Sequence, residues 1–240
     1  MQAVLLAGGL GTRLRSVVND RPKPMADILG YPFLEYLVLE LKKHGITKII
    51  LAVGYMGESI EAYFGTGEKL GIEIRYSYEK EQLGTAGAIK NAAQYILDSE
   101  FFVLNADTFY QAAYSDALQL FQVEQADMVL VLRKIDDISR YGSVRVEGTK
   151  IEGFNEKISE QRPGLINGGI YIMKKQILDC IPEGKKCSLE NEIIPELLKE
   201  GKKVCGTINE GYFIDIGIPK DYFRFIQDVK EKKITFEGRP

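Results

Sequence analysis

Short runs of β-branched and aromatic residues alternate with helical patterns up to about residue 135 of this 240-residue chain. Within 33–44, the apolar residues recur at i, i+3, i+4 and i+7, which predicts an amphipathic helix that ends at Gly45. The predicted strands lie at 2–7, 48–53, 72–78, 101–104 and 127–132, and the predicted helices at 33–44, 58–64, 85–96 and 115–125. Strands that alternate with helices of this length form parallel βαβ units. The pattern therefore predicts an α/β fold with a doubly wound, mostly parallel sheet.

The rhythm changes in the second half of the chain. Strand patterns at 142–146, 150–154 and 165–173 are separated by short turns, which predicts antiparallel additions to the sheet. Helical patterns return at 189–200 and 220–232. Because no linker, repeat or low-complexity stretch divides the chain, we expect one domain over residues 1–240.

Composition excludes several classes of function. The chain has 31 Lys and Arg against 34 Asp and Glu, so its charge gives no reason to expect nucleic acid or a membrane surface as a partner. No apolar run approaches the roughly 18 residues of a membrane span. Three cysteines without a C-x-x-C pair favour a reducing, cytoplasmic location. The single histidine, His44, excludes a His-rich zinc site, and a Ser-His-Asp triad would have to use that one residue.

The first predicted strand runs directly into a glycine loop, GGLGTRLR at 8–15. Such a loop binds phosphates at the carboxyl edge of an open α/β sheet. A dinucleotide fingerprint would need glycine where Leu14 stands, and a P-loop would need a lysine before Lys23. Lys23 lies between two prolines that restrict its backbone, and a cation held in this way suits a polyphosphate. The alternative is an ordinary surface loop with solvated Arg and Lys side chains.

The motifs GGLGTRL at 8–14 and PKPM at 22–25 resemble the signature of the sugar-phosphate nucleotidyltransferases. The resemblance continues in the order of that family through LGTAGA at 83–88, NAD at 105–107, FNEK at 154–157, NGGIY at 167–171 and FIDIGIP at 213–219. Two departures are Ala106, where the family usually has glycine, and Phe213 with Ile218, where it usually has tryptophan and threonine. The resemblance implies a Rossmann-like, GT-A-like fold, with 1–134 as the nucleotide-binding half and 135–240 as the sugar-phosphate-binding half.

The family's reaction is attack by a sugar 1-phosphate on the α-phosphorus of a nucleoside triphosphate, with release of pyrophosphate. The resemblance implies Arg13, Lys23 and Asp107 as catalytic residues and Asp107 with Asp215 as ligands of Mg²⁺. It assigns nucleotide binding to Leu6, Gly8, Gly9, Gly11, Thr12, Glu79, Gly84 and Thr85. It assigns sugar-phosphate binding to Tyr141, Gly142, Glu156, Lys157, Asn167 and Gly168. The alternatives without a catalytic role are also open. A carboxylate at the end of a strand can instead cap the following helix, and Glu156 and Lys157 can instead be a solvated pair on the surface.

The base is predicted from Glu79, because a carboxylate accepts hydrogen bonds from two adjacent donors and guanine offers N1–H and N2–H₂ together. This favours GTP, with UTP left open. The wider pattern, NDRPKPMA at 19–26 and PFLEY at 32–36, resembles the bacterial heptose-1-phosphate guanylyltransferases, which make GDP-heptose for surface polysaccharide. Mannose, glucose and N-acetylmuramate 1-phosphates remain alternative substrates. A non-catalytic nucleotide-sugar sensor and a dinucleotide-dependent oxidoreductase are the rival classes, and the oligomeric state, a homo-oligomer included, stays open.

Overall fold

The computed structural model describes residues 1–9, 11–14, 16–155 and 161–236, with the backbone alone at Thr12 and Asn155. The strands are β1 Gln2–Leu6, β2 Asp27–Ile28, β3 Tyr31–Pro32, β4 Lys48–Val53, β5 Glu73–Tyr78, β6 Glu100–Asn105, β7 Thr108–Tyr110, β8 Met128–Ile135, β9 Ser143–Glu147, β10 Lys150–Asn155, β11 Gly164–Lys174, β12 Val204–Ile208 and β13 Phe213–Asp215. The helices are α1 Phe33–Lys43, α2 Gly57–Phe64, α3 Gly84–Asn91, α4 Tyr114–Val123, α5 Ile194–Lys199 and α6 Pro219–Lys230.

One nine-stranded sheet, in the order β5-β4-β1-β6-β11-β8-β12-β10-β9, organises the chain. The pairs β5–β4, β4–β1, β1–β6 and β12–β8 are parallel, whereas β11 runs antiparallel to both of its neighbours β6 and β8. Since β6 and β8 both oppose β11, they point the same way, and only β11 and β10 run against the other strands of this sheet. The predicted α/β fold, mostly parallel with antiparallel additions from the second half, is confirmed.

The sheet buries both of its faces. Ala3 and Leu5 of β1 pack on one side in the core that α1, α2, α4 and α6 share, whereas Val4 packs on the other side with α3 and α5. Alternate side chains of a strand point to opposite faces, and continuous apolar runs are typical of strands covered on both sides. This burial fixes the register of β1 against β4 and β6 and thereby fixes where the glycine loop leaves the sheet.

Two predicted helices are shorter than their patterns suggested. The helix expected over 85–96 ends at Asn91, and the side chain of Gln2 accepts hydrogen bonds from the amides of Leu97 and Asp98 beyond it. The helix expected over 189–200 begins as a π-helical turn, Leu189–Ile193, and becomes α-helical only at α5. Pro195 explains the second difference, because it has no amide hydrogen to continue an α-helical ladder.

The sequence analysis also missed the strand β12 and the two-stranded antiparallel ribbon of β7 and β13. The β12 segment, VCGTI, is only five residues long and contains a glycine, so its pattern alone does not separate it from a loop. Among the described residues, no helix is both long and apolar enough to cross a bilayer.

Candidate active site

The glycine loop leaves β1 at the carboxyl edge of the sheet and packs tightly against its surroundings. A Cβ on Gly8 would clash with the carboxylate of Glu79, and a Cβ on Gly54 would lie 3.1 Å from the carbonyl oxygen of Gly8. Gly11 has φ +57°, and a Cβ there would lie 2.9 Å from Cβ of Lys23. Glycine is therefore required at 11 by the positive φ and the Lys23 stem, and glycine at 8 leaves room for the Glu79 carboxylate in the position that it holds here.

Lys23 is a buried cation between two carboxylates. Its side chain is 8% exposed, and Nζ lies 2.7 Å from Oδ2 of Asp107 and 3.5 Å from Oδ1 of Asp215. The surface-loop alternative for this residue is wrong, because the structure buries the ammonium group against both acids. Lys23 also begins a short 3₁₀ turn, Lys23–Met25, which holds its backbone.

The β7–β13 ribbon brings the two acids together across more than a hundred residues of sequence. Asp215 pairs with Thr108 in that ribbon, and the amide of Ile216 donates to the carbonyl oxygen of Asp107 at 3.0 Å. The amide of Gly217 donates to Oδ1 of Asp215 at 2.7 Å, which fixes the rotamer of the carboxylate. Sequence motifs predicted both acids, but only this pairing shows that they face one cation.

The electrostatic surroundings of Asp107 and Asp215 suit a divalent cation. Burial raises the pKa of Asp215 above its usual range, and the neighbouring charge of Asp107 raises it further, while Lys23 opposes both effects. Within the described parts of the chain, no three Asp, Glu, His or Cys side chains converge as a complete metal site. Two carboxylates at an open edge fit an ion such as Mg²⁺, which uses one or two protein carboxylates and takes its other ligands from phosphates and water.

Arg13 stands at the mouth of this site. Its side chain is exposed, and Nη2 lies 3.3 Å from the position that a Cβ on Gly217 would occupy. Arg13 lines a small cavity together with Gly11, Lys23, Asp107 and other residues of the loop. Arg13 and Lys23 thus line one cavity, as the binding of a polyanion would require.

A cleft of about 330 Å³, here called the glycine-loop cleft, continues from that cavity along the sheet edge. Of the predicted nucleotide-binding residues, Leu6, Gly8, Gly9, Glu79, Gly84 and Thr85 line it. Gly11 lies beside Lys23 instead, and the side chain of Thr12 is outside the described part of the structure. The sequence analysis gave no role to four further lining residues, Gln82, Ala88, Asn105 and Lys186. Of these, Asn105 could have been found, because it ends β6 two residues before Asp107.

Glu79 lies where a base edge can meet it. Its amide donates to the carbonyl oxygen of Val53 at 2.8 Å, and its Oε2 accepts from the amide of Leu83 at 3.1 Å. Burial raises the pKa of the Glu79 carboxyl, and the Leu83 amide partly opposes that rise. Oε1 faces Gly8 in the glycine-loop cleft, so the carboxylate is held in place while one oxygen borders the cavity.

Gly84 and Thr85 have structural partners in addition to the cleft. Gly84 has φ +70°, and a Cβ there would lie 2.6 Å from the carbonyl oxygen of Cys187. The Thr85 hydroxyl donates to Oε2 of Glu190 at 2.8 Å and accepts from the amide of Leu189 at 2.8 Å. Glycine at 84 is therefore required by the Cys187 backbone, and the only hydrogen of the Thr85 hydroxyl is already donated to Glu190.

The residues predicted to bind the sugar phosphate divide into three groups. Tyr141 lines a second cleft, of about 490 Å³, that also contains Asp215; we call it the Tyr141 cleft. Gly142 follows Tyr141 directly and is half-buried, whereas Glu156 and Lys157 lie outside the described residues. Burial raises the pKa of Tyr141, and the charge of Asp215 adds to this effect.

Asn167 and Gly168 lie on β11 with partners of their own. The Asn167 amide group donates to the hydroxyl of Tyr171 at 2.6 Å and its Oδ1 accepts from the amide of Gly169 at 3.0 Å. The family resemblance assigned Gly168 to sugar-phosphate binding, and a Cβ there would lie 2.6 Å from the ring of Tyr110. Packing against Tyr110 is thus a sufficient reason for glycine at this position.

Comparison with known proteins agrees with this geometry. The chain matches the model of the Nucleotidyl transferase family over residues 2–232, and it belongs to that family. It is 44% identical over 227 residues to a D-glycero-alpha-D-manno-heptose 1-phosphate guanylyltransferase of Campylobacter jejuni, a match that covers 94% of this chain and 99% of the relative. It is 42% identical over 222 residues to the enzyme of the same name from Aneurinibacillus thermoaerophilus, covering 92% and 95% of the two chains. HddC from Yersinia pseudotuberculosis, solved in complex with GMP-PN, is 37% identical with a TM-score of 0.85, covering 95% of this chain and 99% of that one.

Proposed function

We propose that this nucleotidyltransferase transfers GMP from GTP to D-glycero-α-D-manno-heptose 1-phosphate, which gives GDP-heptose and pyrophosphate. The observation that carries the reaction type is the Lys23 ammonium held between Asp107 and Asp215 beside the glycine loop. The choice of GTP and heptose is supported by the names of the two relatives at 44% and 42% identity and by the GMP-PN complex of HddC.

The reaction needs no general base from the protein. A sugar phosphate is largely a dianion near pH 7, because its second pKa is about 6. One of its oxygens attacks the α-phosphorus of GTP, the bond from that phosphorus to the oxygen bridging to the β-phosphorus breaks, and the electron pair leaves with pyrophosphate. The protein therefore has to bring two polyanions together in line and stabilise the charge that develops.

Two cations, Lys23 and Arg13, meet these requirements. Lys23 is buried and lies close to both acids, so water does not screen its charge as it would on the surface. Arg13 borders the same cavity, where it holds the triphosphate. Asp107 and Asp215 would hold Mg²⁺, which would neutralise phosphate charge there. By the same proposal Lys157 binds the sugar phosphate, and Glu156 accepts hydrogen bonds from sugar hydroxyls.

Residues 1–134 serve as the nucleotide-binding half in this proposal, and 135–240 as the sugar-phosphate-binding half. Glu79 selects guanine by accepting hydrogen bonds from N1–H and N2–H₂ of the base.

We further propose a cytoplasmic reaction that supplies GDP-heptose for surface polysaccharide. Cys180, Cys187 and Cys205 are free thiols, which a reducing compartment favours.

Substrate choice is tested by pyrophosphate release with GTP, UTP, ATP and CTP, each with heptose, mannose, glucose and N-acetylmuramate 1-phosphates. We expect the highest kcat/KM for GTP with the heptose phosphate. A higher kcat/KM for UTP, or for another sugar phosphate, would overturn that substrate assignment. Absence of pyrophosphate release with every pair would instead favour the non-catalytic sensor.

The metal assignment is tested by Asp107→Asn and Asp215→Asn, because an amide keeps the shape but supplies no charge to the ion. Each variant should need much more Mg²⁺ for half-maximal activity than the wild type, whereas Asp127→Asn, in a half-buried ion pair with Lys174, should keep the normal titration. A variant that keeps the wild-type Mg²⁺ titration is not a ligand.

A further inference from the structure

Four side chains form a continuous hydrogen-bonded chain between the glycine-loop cleft and β11, here called the polar chain. The Thr85 hydroxyl donates to Oε2 of Glu190 at 2.8 Å, and the Tyr171 hydroxyl donates to Oε1 of the same carboxylate at 2.7 Å. Asn167 in turn donates from Nδ2 to the Tyr171 hydroxyl at 2.6 Å. Thr85 lines the glycine-loop cleft and Asn167 is a predicted sugar ligand, so the polar chain joins the two halves of the proposed site.

The direction of each hydrogen bond in the polar chain is defined. Tyr171 is fully buried, and burial together with the charge of Glu190 raises the pKa of its hydroxyl well above the usual range, so it remains a donor. The Thr85 hydroxyl has given its only hydrogen to Glu190, and it accepts from the amide of Leu189. Asn167 still has one N–H that no hydrogen bond among the described residues uses, and that N–H is what it can offer to a ligand.

Glu190 itself is held by a short structure of its own. Ser188 donates to Oε2 of Glu190 at 3.1 Å, and its hydroxyl accepts from the amide of Asn191 at 3.2 Å at the start of the π-helical turn. One carboxylate thus accepts hydrogen bonds from three hydroxyl groups, two of which belong to different elements, α3 and β11. A shift of α3 or of β11 would change the hydrogen bonds at the other end.

We infer that Glu190 is a positioning residue that couples nucleotide binding to sugar-phosphate binding through Thr85 on one side and through Tyr171 and Asn167 on the other. Once one substrate has fixed its end of the polar chain, the second finds its own end already ordered. Thermodynamic linkage then requires each substrate to tighten the other by one common factor. The inference rests on the proposed function in that both substrates must bind, but it does not depend on which base or sugar is used.

The test is calorimetry with α,β-methylene-GTP, whose P–C bond replaces the bond that the reaction breaks, in the presence of Mg²⁺. Its Kd is measured with and without saturating heptose 1-phosphate, and the ratio of the two values is the coupling factor. We expect a wild-type factor of about 5–10. Glu190→Gln, Tyr171→Phe and Thr85→Val should each bring the factor close to one, and Thr85→Ser, which keeps the hydroxyl, should restore it.

Ser188→Ala is the matched control, because it removes a hydroxyl from Glu190 and loosens the same turn without cutting the route between the clefts. It should keep the wild-type factor even where its melting temperature falls. The inference is overturned if the wild type shows no coupling, if Tyr171→Phe keeps it, or if Ser188→Ala loses it as fully as Glu190→Gln does. Pyrophosphate release by the wild type tests the proposed function separately; if another triphosphate is used, its α,β-methylene analogue replaces that of GTP.

Discussion

Replacing Lys23 by methionine removes one buried positive charge and keeps most of the side-chain volume. In the wild type this charge lies 2.7 Å from Asp107 and 3.5 Å from Asp215, with 8% of the Lys23 side chain exposed. The side chain of Asp107 is 40% exposed, so water takes over part of its stabilisation, but that of Asp215 is only 14% exposed. Removing the Lys23 charge therefore leaves the largely buried Asp215 carboxylate without its nearest cation.

The size of the effect follows from these exposures. Breaking an exposed ion pair costs about 0–1 kcal/mol, and removing one partner of a fully buried pair costs about 3–5 kcal/mol. We therefore expect Lys23→Met to lower the free energy of unfolding by about 2 kcal/mol in EDTA. Mg²⁺ should restore much of this loss, because a divalent ion that binds the folded state replaces the missing charge between the two acids. Turnover should fall by about 10²–10³-fold at any Mg²⁺ concentration, because the ion does not replace a phosphate clamp.

The assay is urea unfolding in EDTA and in Mg²⁺, together with pyrophosphate release. Lys150→Met is the control, because Lys150 forms an exposed pair with Glu152 and its side chain is 67% exposed. Its unfolding free energy should stay within about 0.5 kcal/mol of the wild type. The reasoning is refuted if Lys23→Met unfolds like the wild type in EDTA, or if its activity remains within about threefold of wild type.

Glu79→Gln should lower kcat/KM for GTP by about 5- to 150-fold and that for ITP, which lacks the 2-amino group, by less; an unchanged GTP/ITP ratio would remove Glu79 from base recognition. Because burial raises the pKa of Glu79, the wild-type GTP/ITP ratio should fall as the pH is lowered toward that pKa, and a ratio that stays constant while the enzyme remains folded would contradict this. Gly84→Ala should lower the melting temperature, because its φ of +70° and the 2.6 Å approach to the Cys187 carbonyl leave no room for a methyl group. Gly9→Ala, where nothing lies within 4 Å, should keep the melting temperature but raise KM for the nucleotide; equal melting of the two variants would contradict the steric argument.

Individual helices and strands could be predicted from the sequence, because the patterns that favour them involve residues close together along the chain. The helix α1 repeats its apolar residues with helical spacing and ends before Gly45, and β4 is a continuous apolar run of the length expected for a strand covered on both faces. The glycine loop was readable for a similar reason, since strand, glycines and cations are consecutive along the chain. These patterns predicted the fold class and the edge of the sheet where the site lies.

The same patterns do not predict which residues far apart in the sequence come into contact. Nothing in the spacing of 107–110 or 213–217 shows that β7 and β13 pair, yet this pairing brings Asp215 to Asp107 and both to Lys23. The insertion of β11 between β6 and β8 likewise depends on strand partners far away in sequence.

The hydrogen-bond partners of individual side chains were also decided by the tertiary structure. The motif that contains Thr85 predicted a residue of the nucleotide site, but only the tertiary structure shows that its hydroxyl is bound to Glu190, 105 residues later in the chain. The sequence by itself determined which residue types were available and which of them lie at the ends of strands, because periodicity and turn chemistry act over a few residues. The tertiary structure alone decided which of those residues meet, because burial and hydrogen bonding depend on distance in space and not on separation along the chain.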